Sequence, residues 1–155
     1  MKFYVKQKVF SLGEQFTVKN ERGEDCYFVE GEWFSIPKTF HILDKTHREL
    51  LTLRQKPFAF TTRFQILRED CVAAEIVREF SFFGKSYRIE GSPFSVDGDF
   101  LTHDYTIYRD GRPVAQISKE WFTWGDSYEL DNYGGEDEQM LLAILIVIDC
   151  VLDRN

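Results

Sequence analysis

The chain has 155 residues and a formal net charge of −7 at pH 7, with 43% apolar and 16% aromatic residues. That length suits one domain with its own core, and the ordinary hydrophobicity excludes disorder. The acidic balance argues against nucleic acid, and against anionic lipid as a partner of the whole surface, although a local basic patch stays open.

The acidity is uneven. Residues 1–56 carry ten Lys/Arg against eight Asp/Glu, residues 57–96 five of each, and residues 97–155 four against thirteen. Short alternating stretches fill residues 2 to about 131. FYVKQKVF (3–10), QFTVKN (15–20), CYFVE (26–30) and EWFSI (32–36) read as strands, because aromatic and β-branched side chains recur at alternate positions. Turn residues punctuate them at Asn20-Glu21-Arg22-Gly23, Glu90-Gly91, Asp97-Gly98 and Asp110-Gly111-Arg112-Pro113. Strand-length pieces spaced by about 8–12 residues predict roughly twelve strands in a sandwich or barrel.

Three windows align without a gap: FHILDKTHRELLTLRQK (40–56), FQILREDCVAAEIVREF (64–80) and YTIYRDGRPVAQISKEW (105–121). Each opens on an aromatic residue, has Ile two positions on, and carries Arg54, Arg78 or Lys119 at its fifteenth position. Turn chemistry near the middle of each predicts three β-hairpins of one design.

The segment EDEQMLLAILIVIDCVLD (136–153) differs in kind. From Met140 to Leu152 only Asp149 is charged, Gly134-Gly135 precede the run, and Glu136, Asp137 and Glu138 sit where carboxylates favour a helix N-terminus. Asp137 is the expected N-cap. The apolar run is shorter than the roughly 20 residues of a membrane span. A helix apolar on every side must be covered on every side, and each large side chain gains about 1.5–3 kcal/mol by burial. The expectation is a mainly β (α+β) domain over 1–155: a closed antiparallel β-barrel of about twelve strands around one buried hydrophobic C-terminal α-helix. Such a helix fills the lumen, so any ligand binds outside or at an end.

Chemistry-bearing motifs are scarce. Neither a phosphate-cradling Gly-rich loop nor a GxSxG elbow nor an HExxH helix occurs. His41, His47 and His103 have no metal-ligand spacing, and Cys26, Cys71 and Cys150 form no CxxC pattern. Cys71 with a folded histidine neighbour is a dyad only on paper. No catalytic, cofactor-binding or metal-binding residue is assigned, and no cofactor is expected. The acidic run Asp126, Glu129, Asp131, Glu136, Asp137 and Glu138 lacks the order of a calcium loop and reads as a solvated lead into the helix. Asp149 is either a proton-active group of raised pKa or a carboxylate paired near the barrel mouth. Trp33-Phe34 and Trp121-Phe122-x-Trp124 divide between packing and an exposed anchor. The odd, scattered cysteines and the alternating, non-signal-like N-terminus point to a reducing, cytoplasmic location.

VKQKVFSLGEQFTV (5–18), VAQISKEWFTWGDSYELD (114–131) and LLAILIVIDCVL (141–152) resemble the LURP-one-related (LOR) family, in its bacterial YxjI-like members. The likeness runs in order through nearly the whole chain. It implies the tubby-like fold, a twelve-stranded barrel enclosing a hydrophobic C-terminal helix, and it brings no catalytic residues. Related folds occur in phosphoinositide-binding tubby proteins and in phospholipid scramblases. Three functions follow as expectations: a non-catalytic module recognising a partner protein or ligand on its outer surface; peripheral binding of anionic lipid if the fold gathers Lys2, Lys6, Lys8, Lys85 and Arg88; and an enzyme with a site assembled from scattered residues.

Overall fold

The computed structural model describes residues 1–7, 15–32, 36–81, 84–99, 101–120 and 127–148. Twelve strands precede one helix. In chain order they are β1 (Lys2–Gln7), β2 (Gln15–Lys19), β3 (Asp25–Gly31), β4 (Thr39–Asp44), β5 (Glu49–Gln55) and β6 (Arg63–Arg68). There follow β7 (Cys71–Ser81), β8 (Gly84–Glu90), β9 (Phe94–Asp99), β10 (Asp104–Arg109), β11 (Arg112–Glu120), β12 (Ser127–Asp131) and α1 (Glu138–Leu145).

Each strand pairs antiparallel with the next in sequence except β8 with β9, and β1 pairs with β12 to bring the meander round. The sheet order is β8-β7-β6-β5-β4-β3-β2-β1-β12-β11-β10-β9. The barrel is therefore nearly closed and not fully closed as expected, since no ladder joins β8 to β9 among the described residues. Alternating strand directions give the barrel two distinct ends. Connections leaving odd-numbered strands lie at one end, and those leaving even-numbered strands lie at the other, beside the start of α1.

The three aligned windows are the hairpins β4–β5, β6–β7 and β10–β11. The likeness extends to backbone detail: the register shifts after Ile42, after Ile66 and after Ile107, the third residue of each window. A bulge there increases the local twist and helps the sheet curl. The aromatic residue and the Ile of each window, Phe40/Ile42, Phe64/Ile66 and Tyr105/Ile107, all point inward.

One turn expectation needed correction. Asp97-Gly98 is not a turn but part of β9. A Cβ at Gly98 would lie 2.2 Å from the Asp104 carbonyl oxygen, so this glycine serves close strand approach and not chain reversal. Of EWFSI, Glu32 and Ile36 lie in the β3–β4 connection, and Trp33, Phe34 and Ser35 fall outside the described residues.

The helix is where the sequence placed it. Asp137 is its N-cap, its carboxylate accepting from the backbone N–H groups of Gln139 and Met140 at 3.1 and 3.3 Å. Arg68 donates to the other Asp137 oxygen at 2.9 Å and so ties the cap to the end of β6. The Asn132 side chain bridges Glu136, taking its N–H at 3.0 Å and donating to its carbonyl at 2.9 Å. Leu141 to Ile148 are at most 1% exposed, with 146–148 continuing as a wider π-type turn. Every side of this stretch is covered, and it belongs to one hydrophobic core with strand residues such as Phe16, Phe64, Tyr105 and Tyr128. Residues 149–153 of the expected helix, including Asp149 and Cys150, lie outside the described residues.

Leu145 has no exposed surface, so Leu145→Ala should lower unfolding free energy by about 2–5 kcal/mol in a urea titration. The two-residue β6–β7 turn holds both Glu69 and Asp70 at positive φ, 51° and 61°, the geometry that Asn-Gly adopts at least cost. Glu69→Asn with Asp70→Gly should therefore raise stability by up to about 1 kcal/mol, read as a higher melting temperature.

Candidate functional site

A filled interior leaves the outer wall and the two ends as surfaces for chemistry. At the helix-entry end, the carboxylates expected as one acidic run are dispersed. Glu129 pairs with Lys2 at 2.9 Å, Glu136 with Arg109 at 2.8 Å, and Asp137 with Arg68. Glu138 accepts from the Tyr27 phenol, whose pKa is driven upward first by burial and then by this carboxylate. Each of these four acids has its own partner, which suits a structural role at the helix entrance. Asp126 lies outside the described residues.

Among the described residues the outer wall carries an Arg63–Glu75–Glu90–Arg88–Glu79 network and a second one centred on a histidine. His41 on β4 stands between Glu49 of β5, 2.8 Å from Nδ1, and Glu32, 2.7 Å from Nε2. Thr52 donates to the same Glu49 oxygen. Partial burial alone would lower the His41 pKa, but the hydrogen bonds to Glu49 and Glu32 outweigh it and the net shift is upward. Glu49 moves downward because Thr52 and then His41 stabilise its ionised form. With both ring nitrogens turned to carboxylates, His41 offers no lone pair to a substrate. Beside it, a shallow cleft of about 170 Å³ runs past Thr52, Leu67 and Glu69. Pockets for drug-sized ligands span roughly 300–1,000 Å³, so this one is small.

The other expected groups do not converge. His47 sits in the β4–β5 turn with φ 63° and stacks on Phe28 at 4.7 Å, while His103 lies in the β9–β10 connection. Cys26 is a half-buried free thiol whose pKa is raised by burial and then by Glu138, and Cys71 is exposed at the start of β7. Nor does the fold gather the five cations considered for lipid. Lys2 and Lys6 are on β1, whereas Lys85 and Arg88 are on β8, five strands away by the shorter route round the sheet. Lys2 is paired with Glu129, and Arg88 with Glu79 and Glu90. Lys8 falls outside the described residues.

What sequence reasoning missed is the end opposite the helix entrance. Ile36 in the β3–β4 connection, Phe58 and Phe60 in β5–β6, and Leu101 in β9–β10 are all nearly or fully exposed. These side chains stand in solvent at one end, Ile36, Phe58 and Phe60 on two nearby connections and Leu101 apart from them beyond the β8–β9 edge, and they suit contact with something outside the chain. The signal present in the sequence was Lys-Pro-Phe-Ala-Phe (56–60), two rings at alternate positions beside a proline. Trp33, Phe34, Trp121, Phe122 and Trp124 lie outside the described residues.

Comparison with known proteins is consistent with this architecture. The family model described as LURP-one-related matches residues 1–149. The chain is 29% identical over 153 residues to the uncharacterised protein YxjI of Bacillus subtilis (strain 168), covering 98% of this chain and 94% of that one. An Arabidopsis thaliana protein of known X-ray structure superposes with a TM-score of 0.69 at 16% identity, covering 97% of this chain and 91% of that one. At that identity the superposition speaks for the fold alone.

The His41 network makes stability depend on pH. A histidine whose pKa rises on folding contributes fully below its ordinary value of 6.5, and the contribution fades as pH climbs through the raised value. Glu49, lowered from 4.5, contributes above that value and is lost as pH falls through the lowered one. The stability lost in His41→Gln should be greatest near pH 5–6, below about 1 kcal/mol per pair because both glutamates are half exposed, and should shrink toward about pH 9 in parallel urea titrations.

Proposed function

The chain belongs to the LURP-one-related family, and we propose that it works as a non-catalytic binding module recognising a partner protein or ligand on its outer surface. The observation that supports this reading is the solid interior. Leu141 to Ile148 occupy the barrel axis with almost no exposed area, so the lumen that holds ligand in other β-barrels is filled by the chain itself. Recognition then falls to exposed groups, and among the described residues Ile36, Phe58, Phe60 and Leu101 are large apolar side chains exposed at one end.

The acids and histidines favour the same reading. Glu49, Glu129, Glu136, Asp137 and Glu138 each engage a neighbouring side chain, and both nitrogens of His41 do so as well. Catalytic acids and bases need a free face directed at substrate. We place the protein in the cytoplasm, on the scattered cysteines and the free thiols of Cys26 and Cys71. Among the described residues, no helix is long and apolar enough to cross a membrane.

Immobilised protein exposed to whole cell extract, membranes included, should retain a component that a Phe58→Ser, Phe60→Ser variant does not retain. Turnover above buffer on a panel of ester, phosphoester and glycoside substrates would contradict the non-catalytic assignment.

A further inference from the structure

Part of the barrel end bearing the exposed apolar residues also differs in charge from the rest of an acidic molecule. Between Leu50 and Arg68 the chain has no Asp or Glu, and Arg54 and Lys56 are exposed at the foot of the β5–β6 connection. Lys38 joins them from the adjoining β3–β4 connection, its carbonyl accepting from the Gln55 N–H at 2.8 Å and Thr39 pairing with Arg54. At the opposite end acids and cations are mixed, as Glu21, Arg22 and Glu24, Arg68, Glu69 and Asp70, and Arg109, Glu136 and Asp137. At the apolar end Asp99 and Asp104 flank Leu101 and Glu32 lies in the β3–β4 connection, so the basic stretch is local: Lys38, Arg54 and Lys56 beside Ile36, Phe58 and Phe60.

Phe58 adds a separate observation. Its φ is 60°, in the left-handed region that bulky residues rarely occupy, yet its side chain is fully exposed. The backbone cost is therefore not offset by packing within the chain. It holds an aromatic ring outward, beside a second exposed ring at Phe60.

We propose that this end docks on the interface of an anionic lipid bilayer, with Phe58, Phe60 and Ile36 entering the headgroup layer and Lys38, Arg54 and Lys56 lying against lipid phosphates. The proposal rests on the binding-module reading and names the partner. A bilayer accepts separate protruding tips without a matching shape, whereas a protein partner must supply a complementary pocket for each one. Anionic headgroups complement the local cations within a Debye length of about 8–10 Å, a distance at which the acids of the far end are screened.

Vesicle sedimentation tests this with phosphatidylcholine containing about 30% phosphatidylserine, against pure phosphatidylcholine, in about 50 mM and 500 mM salt. The wild-type protein should pellet with the anionic vesicles at low salt and much less at high salt. Phe58→Ser with Phe60→Ser should weaken binding roughly tenfold or more, and Arg54→Glu with Lys56→Glu should do the same at low salt. Tyr133→Ser, at the far end, should bind as the wild type does. Phe58→Gly separates function from folding: it should melt no lower than wild type, because glycine accepts positive φ, while losing vesicle affinity.

Wild-type protein that stays in the supernatant at low salt overturns the proposal, as does a double Phe variant that binds unchanged. If vesicles fail but a protein from extract is retained through Phe58 and Phe60, the bilayer is wrong and the binding module stands. Substrate turnover with no Phe-dependent retention of any kind overturns both.

Discussion

An α-helix without a polar face has to be enclosed, and the rest of this protein is organised by that requirement. Leu141 to Ile148 have nowhere to meet water. One sheet covers one side of a helix, so covering all sides demands a sheet that curls round it. Twelve strands supply the circumference, the pairing of β1 with β12 brings the meander round, and inward residues such as Phe16, Phe64 and Tyr128 fill the gap between sheet and helix. The polar fixtures at the helix entrance follow from the same constraint. A helix start leaves unpaired N–H groups, and Asp137, held by Arg68, accepts from two of them. Asn132 serves the turn before it.

In the binding-module reading proposed above, enclosure also directs recognition outward. A barrel whose axis is occupied by its own chain has no interior to give to a ligand, and Glu129, Glu136, Asp137 and Glu138 near the helix entrance each engage a neighbouring side chain. The two ends then divide the remaining roles. One end anchors the helix through ion pairs between strands and the β12–α1 connection. The other presents aliphatic and aromatic tips with cations at their base. The barrel wall between them is stabilised by strand pairing and by exposed polar links such as the His41 network.

Much of the architecture was legible because the periods are strong. Alternation marked the strands, and the absence of alternation from Met140 onward marked the helix. The three aligned windows became three hairpins with a bulge after the same Ile, because aromatic and Ile at positions one and three both face inward in each. Glycine was harder to read. Asp97-Gly98 has turn composition, yet Gly98 is in β9 because β10 passes too close for a side chain. Conversely, the tight turn at Glu69-Asp70 has no glycine to announce it, its positive φ angles being imposed by the flanking strands.

The sequence by itself determined what is local: strand period, helix composition, the N-cap at Asp137, and the family likeness over nearly the whole chain. The tertiary structure alone decided which distant side chains meet. Burial is a sum over neighbours from many strands, so Phe64 and Phe60, four residues apart and chemically identical, end respectively in the core and in solvent. Charge obeys the same logic: Lys2 and Arg88 are drawn to carboxylates near them and kept from one another by the strand order, while Lys38 and Arg54 become neighbours because β4 pairs with β5. A chain of net charge −7 can still present cations at one end, because partners feel the field within a Debye length and not the total.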